Sequence, residues 1–193
     1  MPSKRKMCES MRMIGIPDDI VSQFDCADQN GNRPESKIEF IDMMDKLLTK
    51  GQCLAVMERE GCCKGGKRDK DCKAFGKEHA GKPLGEKLSL MSEIEYMMAP
   101  RLNDDGTFTI TMQGRAANNK VHQGKTTCSC GAIMKLKQPF TVSKTYCGCC
   151  AGHFMHHYQN ALGVKLRLKG IDSSPLDTNG EQPCSFTFEV VYE

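Results

Sequence analysis

The sequence contains no tryptophan, almost no net charge, and no apolar run long enough to cross a bilayer. The last absence excludes a membrane-spanning helix. The formal charge of +3 rests on 27 basic and 24 acidic residues. A dedicated nucleic-acid binder would concentrate a larger basic excess, so nucleic acid is not the expected partner. The start, Met1 to Lys6, is basic, but Met7 to Arg12 is studded with polar residues. Without an apolar stretch after the basic one, a secretory signal is not expected, and the cytoplasm is the default compartment. Gly65-Gly66 lacks the Gly-Lys-Ser/Thr ending of a phosphate loop, so no nucleotide cofactor is expected. No haem-ligand pattern, Ser-centred nucleophile elbow, internal repeat or low-complexity tract is present either.

What remains is globular composition, 39% hydrophobic and 26% charged, over 193 residues. That is enough chain for one domain with a full core and too little for two large ones. A single domain, 1–193, is expected, helical over 1–99 and carrying a sheet and a cysteine-rich helix over 100–193.

In the first part, Ile16-Pro17-Asp18-Asp19 reads as a short helix start, with proline early and acids in the first turn. Ser36 followed by Glu39 reads as a capping box opening a helix whose apolar stripe is Ile38, Ile41, Met44, Leu47 and Leu48. Gly51 is expected to break or bend it, and Cys53, Val56 and Met57 continue to Gly61. Lys64 to Lys70 reads as a polar joint, followed by a charged helix with Cys72, Phe75 and His79 on one face. Leu84, Leu88, Met91, Ile94 and Met98 mark another amphipathic helix, ended by Ala99-Pro100.

After Pro100 the apolar period changes from 3.6 to 2. Phe108, Ile110 and Met112 alternate with threonines, the pattern of a half-buried strand. Cys128, Cys130, Ala132, Met134 and Leu136 alternate likewise, which predicts a strand with both cysteines facing inward. A helix from about Gly148 carries Ala151, Phe154, Tyr158, Ala161 and Leu162 on one stripe and stops at Gly163. Val164-Leu166-Leu168 and Cys184-Phe186-Phe188-Val190 close the chain as two strands. The predicted class is α+β, with N-terminal helices packed on an antiparallel four-stranded sheet in hairpin-helix-hairpin order.

Twelve cysteines are the outlying count. In a reducing compartment they favour metal ligation, redox chemistry or burial over a disulfide framework. Cys8, Cys26 and Cys53 stand apart and read as small buried hydrophobes. Cys128-x-Cys130 and Cys147-x-Cys149 form two short pairs separated by 16 residues. Tetrahedral zinc takes thiolates delivered from such converging pairs, and a helix start stabilises thiolate. Cys128, Cys130, Cys147 and Cys149 are therefore the candidate zinc ligands, with packing in the core as the competing reading. Cys62, Cys63 and Cys150 are candidate additional ligands or reactive thiols. Cys184, in line with Phe186 and Phe188, reads as buried. Cys149, His153 and His156 make a ligand-like stripe, but it lies opposite the apolar face, so these histidines and His157 read as a solvated surface.

Several of these segments resemble the 4-vinyl-reductase small-molecule-binding family. The carrying residues are Cys147-Gly-Cys149-Cys150-Ala151-Gly152, Leu162-Gly163-Val164 and Gly180-x-x-x-Cys184-x-Phe186. The cysteine-rich form, with Cys128-Ser-Cys130-Gly131, is similar to bacterial L-2-amino-thiazoline-4-carboxylate hydrolase-like proteins. The chain departs from the family in a long Asp172–Asn179 loop and in Ser173-Ser174, where an acidic-Cys pair is frequent. The resemblance implies the fold of nitric-oxide sensors and transport-particle subunits. It also implies a small apolar or heterocyclic ligand, and a homodimer. The ligand pocket is expected among Met91, Ile94, Met98, Phe108, Ile110 and Phe154. Two functions follow: a ligand-binding or sensor module with a cysteine-based zinc site, or a small cysteine- or metal-dependent hydrolase acting on a heterocyclic acid.

Overall fold

The first helix, α1 (Lys4–Met13), opens at Ser3, whose hydroxyl accepts from the Lys6 amide. That bond satisfies one of the donors a helix start leaves orphaned. The computed structural model describes residues 3–27, 33–61, 64–112, 115–116, 126–128, 130, 133 and 142–192, with the backbone alone at 115–116 and 126–127. Six more helices follow among these residues: α2 (Asp18–Val21), α3 (Pro34–Leu47), α4 (Lys50–Glu58), α5 (Gly66–Glu78), α6 (Leu84–Ser92) and α7 (Gly148–Leu162). No helix is long and apolar enough to cross a membrane.

Two helix boundaries differ from the expectation. α3 begins at Pro34 rather than behind a Ser36 cap, and Ser36 sits inside the helix. Proline's fixed φ suits the first helical position and opens the helix three residues earlier. The functioning capping box is Thr49–Gln52, whose side chains satisfy each other's backbone amides at the start of α4. The break therefore falls at Leu48–Thr49, and Gly51 lies inside α4 instead of ending α3. The stripe read through Met98 also stops early: α6 ends at Ser92, and a 3-10 turn spans Glu95–Met97. Met98 and Ala99 then take positive φ, turning the chain into the sheet.

The main sheet has four antiparallel strands in the order β1 (Arg101–Leu102), β2 (Phe108–Met112), β6 (Cys184–Val191), β5 (Lys165–Ser173). A separate ribbon pairs β3 (Arg115–Ala116) with β4 (Thr126–Thr127). The hairpins β1–β2 and β5–β6 join along β2 and β6, with Phe108 opposite Phe188, Ile110 opposite Phe186 and Met112 opposite Cys184. Period-2 alternation thus places four large side chains on one face, all fully buried. α7 covers that face: Phe154 meets Phe186, and Tyr158 stacks on Phe108. The class is α+β with helices on an antiparallel sheet, as the element order predicts.

The strand expected over Cys128–Leu136 falls largely outside the described residues. Cys128 and Cys130 lie outside any strand, just past β4, while Ala132, Met134 and Leu136 fall outside the described residues.

α4 and α5 pack on α7, and α4 also reaches β5, where Glu58 accepts from the Leu168 amide at 3.0 Å. The approach to α4 is close: a Cβ at Gly152 would lie 2.9 Å from the carbonyl oxygens of both Met57 and Glu58. Gly76 of α5 faces the Asn160 carbonyl with similarly little room. At the far end, Gly163 takes φ 69° and Lys87 of α6 donates to the Leu162 carbonyl at 2.7 Å. A cation there offsets the negative end of the helix dipole. α7, which carries Cys149, Cys150, His153, His156 and His157, is thereby packed against α4, α5, α6 and the sheet.

Candidate functional site

A 3-10 turn, Lys144–Cys147, runs directly into α7 and carries Tyr146 and Cys147 into the interior. Ser174 follows the end of β5, and Cys184 is the first residue of β6. Cys147 and Ser174 share a hydrogen bond of 2.9 Å between Sγ and Oγ, both side chains buried. The thiols of Cys128, Cys147 and Cys184 hydrogen-bond among themselves. Three distant chain segments thus deliver sulfur to one point beneath the sheet's end.

Charge in this group is uneven. Hydrogen bonds from Cys147 and Cys184, with a further one from the Cys130 amide at 3.4 Å, hold the Cys128 thiol far below its usual range despite burial. The same bonds to Cys128 push Cys147 and Cys184 up. Hydrogen bonding thus favours the thiolate at Cys128 and the protonated thiol at Cys147 and Cys184, since burying one charge costs less than burying three.

Around this core lie the remaining candidates. Cys130 Sγ is 3.9 Å from the Tyr146 hydroxyl. Burial first, then the charges of Cys130, Cys149 and Cys128, raise the pKa of that phenol. Cys149 is buried in the first turn of α7, and Cys150, next along, is partly exposed. Cys62 and Cys63 lie outside the described residues. Of the four predicted ligands, Cys128 and Cys147 are brought into contact, and Cys130 and Cys149 gather around Tyr146 beside them.

The residue that sequence reasoning missed is Cys184. Its inward direction was legible from its alternation with Phe186 and Phe188. Its neighbours were not, because they come from 37 and 56 residues away. Ser174 and Tyr146 gave no signal at all.

Two other readings change. Cys8 and Cys26 are not separate buried hydrophobes but form a disulfide that ties α1 to the segment after α2. Cys53 is buried as expected, and burial pushes its thiol up to about 12. The histidines of α7 are not a solvated face either. His157 is 0% exposed and the His156 side chain 29%, because α5 packs over them. Helical spacing had placed them opposite the sheet-facing stripe correctly, yet that second face is also covered.

The six residues proposed to line a pocket share one core. Met91, Phe108, Ile110 and Phe154 are buried, while Ile94 and Met98 pack partly exposed against them. No protein-family model, curated protein or solved structure matches this chain.

Proposed function

We propose that the chain is a small-molecule-binding or sensor domain with a cysteine-based zinc site formed by Cys128, Cys147 and Cys184. Cys130 or Cys149 would serve as the fourth thiolate. The observation that carries this reading is the mutual hydrogen bonding of three buried thiols from three separate segments. With Zn–S bonds near 2.3 Å, sulfurs of a tetrahedral site stand ~3.8 Å apart, so an entering ion would draw the three sulfurs to that spacing and displace their protons. The Cys130 amide directed at Cys128 Sγ is the kind of outer contact that orients and stabilises a metal-bound thiolate.

The resemblance to 4-vinyl-reductase-type domains supplies the ligand class, a small apolar or heterocyclic molecule. Ile94 and Met98, partly exposed at the edge of the core, mark the side by which it would enter. Free thiols in the cluster suit the cytoplasm, whereas the Cys8–Cys26 disulfide suits an oxidising compartment. The disulfide therefore weighs against the cytoplasmic reading.

One observation favours the hydrolase alternative: hydrogen bonds from its neighbours hold the Cys128 thiol below its usual range, which favours the thiolate, the form that attacks carbon. Its burial weighs against it as a nucleophile, since a substrate must reach the sulfur.

Elemental analysis of the purified protein tests the reading. The expected content is about one zinc per chain, falling sharply in Cys184→Ser. Metal-free protein whose Cys128 and Cys147 react freely with a thiol reagent would sink the zinc site. A Cys128→Ser variant that folds and keeps its metal but loses a hydrolytic activity would establish the enzyme instead.

A further inference from the structure

Midway along α7, about 12 Å from the cysteine cluster by helix rise, stands a second group of donors. Asp69 of α5 reaches across to two consecutive residues of α7. Its Oδ1 lies 3.0 Å from His156 Nε2 and 4.0 Å from His157 Nδ1. The three donor atoms all fall within 4.8 Å of one another. We propose that Asp69, His156 and His157 form a second metal site, of mixed imidazole and carboxylate character, for a divalent first-row transition ion.

The spacing suits an ion. Donors bound at 2.0–2.1 Å around one tetrahedral or octahedral centre stand ~2.8–3.4 Å apart; the Asp69–His156 distance of 3.0 Å falls in that interval, and the Asp69–His157 distance of 4.0 Å would shorten by about 0.6 Å on binding. Two imidazoles and one carboxylate leave at least one coordination position open, which is the arrangement of reactive rather than purely structural centres.

The outer contacts are in place as well. Lys73 Nζ holds Asp69 Oδ2 at 2.7 Å, which directs Oδ1 toward the histidines. Asn160 Nδ2 lies 3.2 Å from Oδ1 and 3.4 Å from His156 Nε2. Arg68 Nη1 lies 3.0 Å from His153 Nε2, and the His153 ring meets that of His157 at 4.5 Å between centroids. Contacts of this kind fix the rings and the carboxylate before an ion arrives. Asp69 and His157 are shielded, while His156 reaches the surface and provides the route in.

The nearby cations Arg68 and Lys73 select among ions. They oppose any positive charge, so an ion held mainly by charge, such as Mg2+ or Ca2+, is disfavoured. An ion with strong affinity for imidazole nitrogen, such as Zn2+ or Co2+, overcomes them. In the absence of an ion, His156 and Asp69 share a hydrogen bond. On binding, the His156 ring presents Nε2 as a lone pair, either by changing tautomer or by releasing one proton to solvent.

Anaerobic Co2+ titration separates this site from the thiolate cluster, because sulfur ligation gives intense near-ultraviolet charge transfer and nitrogen-oxygen ligation gives only weak visible bands. Wild-type protein is expected to bind Co2+ with visible bands that carry no matching charge transfer. His156→Ala should weaken that component by at least about tenfold and leave the charge-transfer band intact. Asp69→Asn should do the same. If it fails to fold, the partly exposed His156 still allows the test. Identical Co2+ isotherms in wild type and His156→Ala overturn the site. Mg2+ binding there as tightly as Co2+ would overturn the assignment to imidazole nitrogen. Loss of the charge-transfer band alone counts against the cysteine reading and leaves this one standing.

Discussion

Replacing Gly152 with alanine puts a methyl group where α4 and α7 touch. The new Cβ would lie 2.9 Å from the Met57 and Glu58 carbonyl oxygens and 3.0 Å from the Gly61 nitrogen. Ordinary carbon–oxygen contacts begin near 3.3 Å, so three backbone atoms must each retreat by about 0.4 Å. No flexible side chain is among them to give way. Overpacking of this type costs about 1–3 kcal/mol, and three unyielding backbone atoms place this case in the upper part, about 2–3 kcal/mol, against a gain of about 1 kcal/mol from alanine's better helix propensity. The net is a loss of about 1–2 kcal/mol, or a fall in Tm of roughly 2–8 °C for a chain of this size. Gly51 is the internal control. It also lies in a helix, but nothing stands within 4 Å of its would-be Cβ. Gly51→Ala should therefore stabilise by about 0.4–1 kcal/mol through the unfolded chain. Thermal and urea denaturation of the two variants measure both effects. Equal shifts of the same sign, or a Gly152→Ala protein as stable as the wild type, would refute the close-approach argument. The same contact gives a physical reason for the glycine in Cys147-Gly-Cys149-Cys150-Ala151-Gly152: position 152 must admit the end of α4.

Two further outcomes are expected. Hydrogen bonds from the Thr107 hydroxyl and amide, with Lys169 nearby, hold the Asp105 carboxyl at about 2. Its folded value lies below its unfolded one, so its stabilising contribution is complete above the ordinary carboxylate range of about 4. That contribution is lost as pH falls through about 2. An NMR titration of Asp105 should place its midpoint near 2 in wild type and higher in Thr107→Val, and an unchanged midpoint would contradict this account. Lys87→Met removes the buried ammonium that caps the Leu162 carbonyl and should cost about 1–3 kcal/mol by denaturation. A wild-type Tm would mean that this cap adds nothing.

Legibility in the sequence followed the range of each interaction. The alternation of Phe108, Ile110 and Met112, and of Cys184, Phe186 and Phe188, announced strands with one buried face. The stripe from Ala151 to Leu162 and the stop at Gly163 announced α7 almost to the residue. Local chemistry alone also placed α2 behind Pro17. These signals are written within a few residues, where period and capping act. The paired spacing of Cys128, Cys130, Cys147 and Cys149 singled out a region in which Cys128 and Cys147 hydrogen-bond to each other.

What the tertiary structure decided is which surfaces meet. Cys128 and Cys130 lie outside any strand, although their alternation read as part of one. Packing of α5 on α7 buried His157, whose position on the helix had been read correctly and whose surroundings had not. Cys184 and Ser174 joined Cys128 and Cys147, and Cys8 found Cys26, across intervals that leave no periodic trace. Hydrophobic patterning records which way a side chain points relative to its own element. Its partners come from other elements, and only the folded chain brings them within bonding distance.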